Sequence, residues 1–347
     1  MVATLAKGRA LSQFVDPNDP EVLRVLAEAQ DGIRAAELKT IPNEARPKAY
    51  GIADLRGDLL KVYRDGLGRG SLTGWPCLDP HYSVAGGQVT TITGYPNSGK
   101  SQFMDALAIN LARQGWRFCF CSLENIPVVL HAEKLTKQYL AKPMREGPNE
   151  RASEDEITEA LDDMRTWFSF LVPTENKPNP GLHDVMDALE HNFRERGIWG
   201  DENAKLAAVI DPWNELEHFR PSGMSLTEHV GESLSMLRQW ARQKMLHLFI
   251  VAHPSKQYRN RETTKLPVAT PDMISDSAHF WNKSDNCITV ALQDERNSPQ
   301  VDIHIQKIRF AHIGKRGMAT LKYDVITGRY SDDQSGVWPA RMREKMK

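Results

Sequence analysis

Cysteine is scarce in this chain, 4 in 347 residues, and none of the four forms a Cys-x-x-Cys pair. That excludes a disulfide framework and a zinc knuckle, and it predicts a reducing, cytoplasmic compartment. Cys119 and Cys121 stand two apart inside an apolar run, where the spacing makes them small core residues of a strand. An excess of charge is missing as well: Lys plus Arg is 44, Asp plus Glu is 45, and the formal net charge is -1. Bulk basicity therefore cannot drive nucleic-acid binding, and a basic groove has to be found residue by residue. Long apolar runs are absent. Met245 to Ala252 falls far short of the about 20 residues that span a bilayer and contains a His, so no membrane segment is expected. Nothing near Met1 resembles the apolar region of a secretory signal.

What is present divides the chain into three regions, consistent with the roughly two domains its length allows. Over residues 1–66, Asn18-Asp19-Pro20 reads as a helix start. Val22, Val25, Leu26, Ala29 and Ile33 follow at helical spacing. After a Pro-containing break, Leu55, Leu59, Val62 and Tyr63 share another face, which ends at Gly66. Two amphipathic helices without strands cannot bury their own apolar faces, so this region is expected to pack on the main domain or on another copy of the chain. Residues 67–335 alternate apolar runs with helical stretches. The runs are Val89–Thr93, Arg117–Ser122, Leu206–Ile210, Leu246–Ala252 and Cys287–Leu292, and strands apolar on both faces predict a mostly parallel sheet covered by helices. Val301, Ile303 and Ile305 alternate with polar residues as a half-exposed strand, and Met318–Tyr323 adds a further strand, which predicts antiparallel C-terminal strands. The eight acidic residues of 146–163 read as a solvated helix face. Residues 336–347 form a basic tail.

Gly94-Tyr95-Pro96-Asn97-Ser98-Gly99-Lys100-Ser101 fits GxxxxGK[ST] in full. A chain of this length contains that pattern by chance on the order of 1% of the time. The flanks agree, since Val89–Thr93 runs into it and Phe103, Leu107 and Leu111 leave it at helical spacing. Glycines let the backbone turn its N–H groups onto phosphate oxygens at a helix N-terminus. Gly94, Asn97, Ser98, Gly99, Lys100 and Ser101 are therefore the nucleotide-binding candidates, with the Lys100 ammonium on the β/γ-phosphates and the Ser101 hydroxyl on Mg2+. Hydrolysis needs a metal-side carboxylate and a group that orients water. Asp211 closes the run Leu206–Ile210 and is the candidate for the first, a nucleotide-side and metal-side role. Glu124 follows Arg117–Ser122 and is the candidate for the second. His253 ends Leu246–Ala252 and is placed either to read the γ-phosphate or to touch a polynucleotide. A basic track with an interleaved aromatic residue, Lys256, Tyr258, Arg259, Arg261 and Lys265, lies in a stretch too long and polar for a compact connection, which reads as a loop for single-stranded nucleic acid. Arg220 is the candidate of a second loop. Contacts to phosphates predict little sequence preference.

Over roughly residues 50–330 the chain resembles the hexameric RecA-like replicative DNA helicases, in particular the Twinkle and phage primase–helicase branch related to DnaB. The resemblance rests on Ser71-Leu72-Thr73-Gly74-Trp75 with Leu78-Asp79, on Gly94 to Ser101, on Ser122-Leu123-Glu124-Asn125, and on Val209-Ile210-Asp211-Pro212-Trp213-Asn214-Glu215. It continues through Val251-Ala252-His253-Pro254-Ser255-Lys256, Ser277 to Asn286, Gln306-Lys307-Ile308-Arg309, Tyr323-Asp324 and Thr327-Gly328-Arg329-Tyr330. It implies a RecA-like P-loop ATPase core, ATP and Mg2+ as cofactors, Glu124 as catalytic carboxylate and His253 as a phosphate sensor. It further implies Tyr330 at the nucleotide, Asn282-Lys283 on the DNA side, and Lys307 with Arg309 as the pair inserted into a neighbour's site. The implied activity is 5′ to 3′ translocation on single-stranded DNA by a homo-oligomeric ring of six or seven copies that opens forked duplexes, with a separate primase or polymerase as a further partner. The alternatives are a recombinase-like ATPase that binds single strands without unwinding and a regulatory P-loop assembly without DNA. Residues 1–66 are too few for the TOPRIM primase domain that many relatives carry, so no primer synthesis is expected, and they suit the family's linker helix.

Overall fold

The structure is a computed structural model that describes residues 49–201, 203–255, 267–274, 278–293 and 299–332, together with Pro20 and Arg24. The expected helix after Asn18-Asp19-Pro20 and the basic tail lie outside these residues. The chain divides into two compact units, Met1–Gly66 and Leu67–Lys347. In the first, α1 (Arg56–Asp65) is the helix expected before Gly66, whose φ of 74° lets its N–H turn back onto Val62 O. No side chain of α1 is buried, and Leu59, Val62 and Tyr63 are exposed.

The second unit begins with a two-stranded antiparallel ribbon, β1 (Ser71–Leu72) and β2 (Ser83–Val84). A nine-stranded sheet follows. Its strands are β3 (Val89–Thr93), β4 (Trp116–Ser122), β5 (Phe168–Phe170), β6 (Lys205–Asp211), β7 (His247–Val251), β8 (Asn286–Leu292), β9 (Gln300–Ile308), β10 (Gly317–Tyr323) and β11 (Tyr330–Asp332). The order across the sheet is β11-β10-β9-β8-β3-β7-β6-β4-β5. From β8 to β5 all neighbours are parallel, and β9, β10 and β11 extend the sheet antiparallel. The P-loop strand β3 is thus central, flanked by β7 and β8.

Helices α2 (Lys100–Ala112), α3 (Val129–Leu140), α4 (Glu154–Met164), α5 (Leu182–Glu195), α6 (Leu226–Gln243) and α7 (His279–Lys283) complete the unit. Strand alternation divides its interior into two cores, because successive side chains point to opposite faces. Along β4, Phe118 and Phe120 join one core with Phe103, Leu107 and Leu111 of α2. Cys119 and Cys121 join the other, with Val185 and Leu189 of α5 and Leu234 and Leu237 of α6. Burial pushes the Cys121 thiol up to about 12, so it behaves as core and not as a reactive group. Helix α2 departs from the stripe read in the sequence. Met104, Ala106, Ala108 and Ile109 are buried beside Phe103, Leu107 and Leu111, so the helix is enclosed on nearly every side. The acidic stretch forms α4, opened by a Ser153–Glu156 capping box, and it is not merely solvated: Glu156 pairs with Lys142 at 2.8 Å and Asp163 accepts from the Tyr139 hydroxyl at 2.6 Å.

Candidate functional site

The carboxyl ends of four neighbouring parallel strands converge on one crevice, the place where open α/β sheets bind ligands. From β3 the chain enters the P-loop and leaves it through α2. The turn depends on backbone that side chains resist: Gly94 has φ 152° and Gly99 φ 88°, and Asn97 sits at φ 63°. A Cβ on Gly94 would lie 2.3 Å from Val290 O and 2.6 Å from Ser98 Oγ. Lys100, 5% exposed, donates to Gly94 O at 2.9 Å and to Tyr95 O at 3.0 Å, folding back over its own loop. Burial lowers its ammonium to about 8, although Asp211 and Glu124 pull the other way.

Asp211, the last residue of β6, is buried opposite Ser122 of β4. Burial raises its carboxyl to about 6 against the hydrogen bond from Ser101, with Asp105 and Glu124 adding like charge. Asp211 Oδ1, Ser98 Oγ and Ser122 Oγ are buried without a hydrogen-bond partner in the chain. Buried polar atoms are otherwise nearly always satisfied. Hard oxygen donors left unsatisfied beside a P-loop fit a Mg2+ ion with its waters and phosphates. Among the described residues no cluster of three or more His, Cys, Asp or Glu forms a metal site of its own.

Glu124 stands past the end of β4 with its side chain 52% exposed, and His253 Nε2 is 3.4 Å from Glu124 Oε1. Burial and the Lys100 charge hold the His253 imidazole below its ordinary range, against the pull of Glu124. Asn214 accepts the His253 N–H at 2.8 Å and so ties the ends of β6 and β7 together. Three groups here were given no role in the sequence reading. Asn125 takes a 2.5 Å hydrogen bond from Lys134 of α3. Asp105, one turn beyond Ser101, pairs at 2.8 Å with His131 of α3, both buried. Spacing of i, i+4 from Ser101 was the available signal for Asp105; nothing local marked His131.

The crevice opens into a cavity of 950 Å³ lined by the polar Lys100, Glu124, Asn125, Lys134 and His253 and by Leu292, Val301, Tyr323 and Val325. Tyr330 also lines it, buried, with its hydroxyl donating to Gly99 O at 3.2 Å. Trp75 and Phe103 hold its ring edge-on.

Lys307 and Arg309 do not join this cluster. Lys307, near the end of β9, donates to Ser284 O at 2.8 Å and Asn282 O at 3.3 Å, and also to Trp281 O. Arg309 Nε lies 3.1 Å from Asp285 Oδ1, and Nη2 donates to Asn282 O at 3.3 Å. Because Asp285 N donates to Val89 O and Arg309 N to Asp285 O, Arg309 sits beside the first residue of β3. Its own P-loop is a full strand away, roughly 13 Å. Asn282 and Lys283 lie on α7 at this same end. Arg220 is exposed beside Phe219 in the segment after β6. Lys256, Arg259, Arg261 and Lys265 lie outside the described residues.

The fold is of the kind seen in solved ATPase and DnaB-like helicase structures. The chain superposes on a DnaB-like replicative helicase described with its primase interactions, with a TM-score of 0.65 at 16% identity, covering 90% of this chain and 73% of that one. A second solved structure, an ATPase domain alone, superposes equally, with a TM-score of 0.65 at 18% identity, covering 80% of this chain and 98% of that one. In sequence the chain is 35% identical over 272 residues to the Twinkle homolog protein, chloroplastic/mitochondrial, of Arabidopsis thaliana, which covers 76% of this chain. The chain spans 36% of that relative's length. No protein-family profile matches it. The likeness therefore falls in the Twinkle and DnaB-like helicase branch.

Proposed function

We propose that the chain is an ATP-driven, ring-forming translocase that moves 5′ to 3′ along single-stranded DNA and unwinds duplex ahead of it. The observation that carries this reading is the convergence of Lys100, Ser101, Asp211 and Glu124 on one crevice while Arg309 stands at the opposite end of the same sheet. In this reading a subunit holds a nucleotide in its own crevice, and a neighbouring copy supplies Arg309 to complete the site. Lys100 binds the β/γ-phosphates. Ser101 and Asp211 hold Mg2+, which neutralises phosphate charge when bound. Glu124 orients the attacking water and accepts its proton, and His253, in contact with Glu124, reports the state of the γ-phosphate to the segment that follows it. Leu292, Val301, Tyr323 and Val325 give the apolar wall that a nucleoside base requires. Arg220, Asn282, Lys283, Lys256, Arg259, Arg261 and Lys265 face the single strand.

The exposed stripe of α1, within region 1–66, docks on the adjacent subunit of a six- or seven-membered ring; residues 67–335 are the motor and 336–347 a basic tail. A separate primase or polymerase is a fitting partner, since a structural neighbour is a DnaB-like helicase described with its primase interactions. The test is a forked-duplex assay with ATP and Mg2+ alongside particle imaging. Unwinding by closed rings supports the proposal. Hydrolysis stimulated by single-stranded DNA without unwinding favours the recombinase-like alternative, and hydrolysis indifferent to DNA rejects both.

A further inference from the structure

We propose that Asp285 is the seat of the Arg309 finger: it aims the guanidinium toward the neighbouring subunit, and Arg238 and Arg242 keep the carboxylate charge-balanced when that guanidinium leaves. This rests on the reading of Arg309 as a residue that acts in trans. Asp285 is fully buried, at 0% exposure. Its two oxygens have separate tasks. Oδ2 accepts the Val89 N–H at 3.1 Å, which fixes the carboxylate to the base of the P-loop strand. Oδ1 meets three guanidinium groups: Arg309 Nε at 3.1 Å, Arg242 Nη2 at 3.2 Å and Arg238 Nε at 3.3 Å.

A buried carboxylate stripped of its last partner is strongly destabilising. A seat held by Arg309 alone would therefore oppose every departure of the finger. Arg238 and Arg242 remove that opposition, because both belong to α6 and not to the strand that Arg309 follows. Arg238 Nε is moreover buried without a hydrogen-bond partner, although the carboxylate oxygen is 3.3 Å away. It stands ready for the oxygen that Arg309 vacates. The charge count works in the same direction. One carboxylate faces three guanidinium groups, with the Lys307 ammonium tied to the carbonyls at the end of α7. Such a cluster lacks negative charge, and an incoming phosphate supplies it. Arg309 is the member placed to answer, since it follows a strand end with its side chain 28% exposed, whereas Arg242, 45% exposed, is held within α6. Asp285 touches no substrate in this scheme; it is a positioning residue.

The experiment is steady-state ATPase of rings on single-stranded DNA. Asp285→Asn keeps an oxygen for the Val89 N–H and loses the charge. Turnover should fall about tenfold or more, the scale of a misplaced reacting group, while the KM for ATP stays within about twofold. Mixing with Lys100→Ala subunits then separates positioning from structural damage. An Asp285→Asn subunit has a sound P-loop, and a Lys100→Ala neighbour brings a well-seated finger, so activity should return near equal mixing. An Arg309→Ala mixture with Lys100→Ala is the reference. If the reference recovers and the Asp285→Asn mixture stays flat, the damage lies in the subunit's own site and the seat is rejected. Wild-type turnover in Asp285→Asn rejects it too. A flat reference overturns the trans reading itself, and the seat with it. Should Asp285→Asn not fold, Arg238→Gln/Arg242→Gln leaves Arg309 as the sole charged partner of the carboxylate. Its turnover should fall several-fold with the same rescue, and undiminished turnover would overturn the proposal.

Discussion

The imidazole of His253 lies 3.4 Å from the carboxylate of Glu124 at the mouth of the nucleotide crevice. The pair joins the ends of β4 and β7 beside the crevice that Lys100 also lines. Asn214 holds the backbone of one partner. The carboxylate keeps enough exposure to meet water.

Replacing Glu124 by Gln should leave nucleotide binding intact, because Lys100, Ser101 and the loop are untouched. Hydrolysis should drop by at least about 10², the contribution of a lost general base. Fluorescent-nucleotide titration and phosphate release measure the two separately. Wild-type release would remove Glu124 from the chemistry.

Gly94→Ala should fail at the level of the loop. The added methyl would lie 2.3 Å from Val290 O, a backbone atom of the adjacent strand that cannot step aside, at a φ of 152° that alanine resists. A loss of about 3 kcal/mol or more, among the larger effects of single substitutions, is expected. Thermal unfolding should show it, with nucleotide affinity lost in parallel. An unchanged melting temperature would show that β3 and β8 can part at little cost.

His247 gives the fold an acid limit. It is wholly buried between Tyr82, Thr90 and Ala85 O, and burial lowers its imidazole from 6.5 to about 4. The folded state therefore resists a proton that the unfolded chain accepts below about 6.5. Stability is complete above that pH and falls as pH drops toward 4, by up to about 1.4 kcal/mol per pH unit. Unfolding midpoints between pH 7.5 and 5 should follow this slope, and His247→Gln should flatten it. An equal slope in both proteins would locate the acid limit elsewhere.

Changing Arg259, Arg261 and Lys265 together to Ala should weaken single-strand binding and reduce its salt dependence, by about 0.7 in slope for each phosphate no longer neutralised. DNA-independent hydrolysis should persist. Binding isotherms from low to high salt give the slope directly, and an unaltered slope would rule this segment out as the track.

The crevice was legible because its chemistry is written in continuous stretches. Gly94 to Ser101 spells out the loop, and Asp211 and Glu124 each close an apolar run, so their position at strand ends followed from the run itself. Phe118, Cys119, Phe120 and Cys121 likewise displayed both faces of β4. Asp285 was not legible in this way. Its partners Arg238, Arg242 and Arg309 come from α6 and the end of β9, and no local pattern links residues that meet only through the sheet order. Strand β5, three half-buried residues, carried too short a pattern to read, and β11 hid in the motif Thr327 to Tyr330. The enclosure of α2 was missed because Ala106 and Ala108 look neutral in a sequence, yet both are buried, on nearly opposite faces of the helix.

Arg309 and Lys100 belong to opposite ends of one sheet, and arithmetic follows from that separation. Once each finger serves the next copy, any open stack of subunits has one P-loop without a finger at its head and one finger without a P-loop at its tail. Each is an idle half. Joining head to tail converts both halves into one more working site, so closure itself raises the yield per subunit. A dilution series should then lose turnover faster than it loses bound nucleotide, because a lone subunit can hold its ligand and still be unable to spend it.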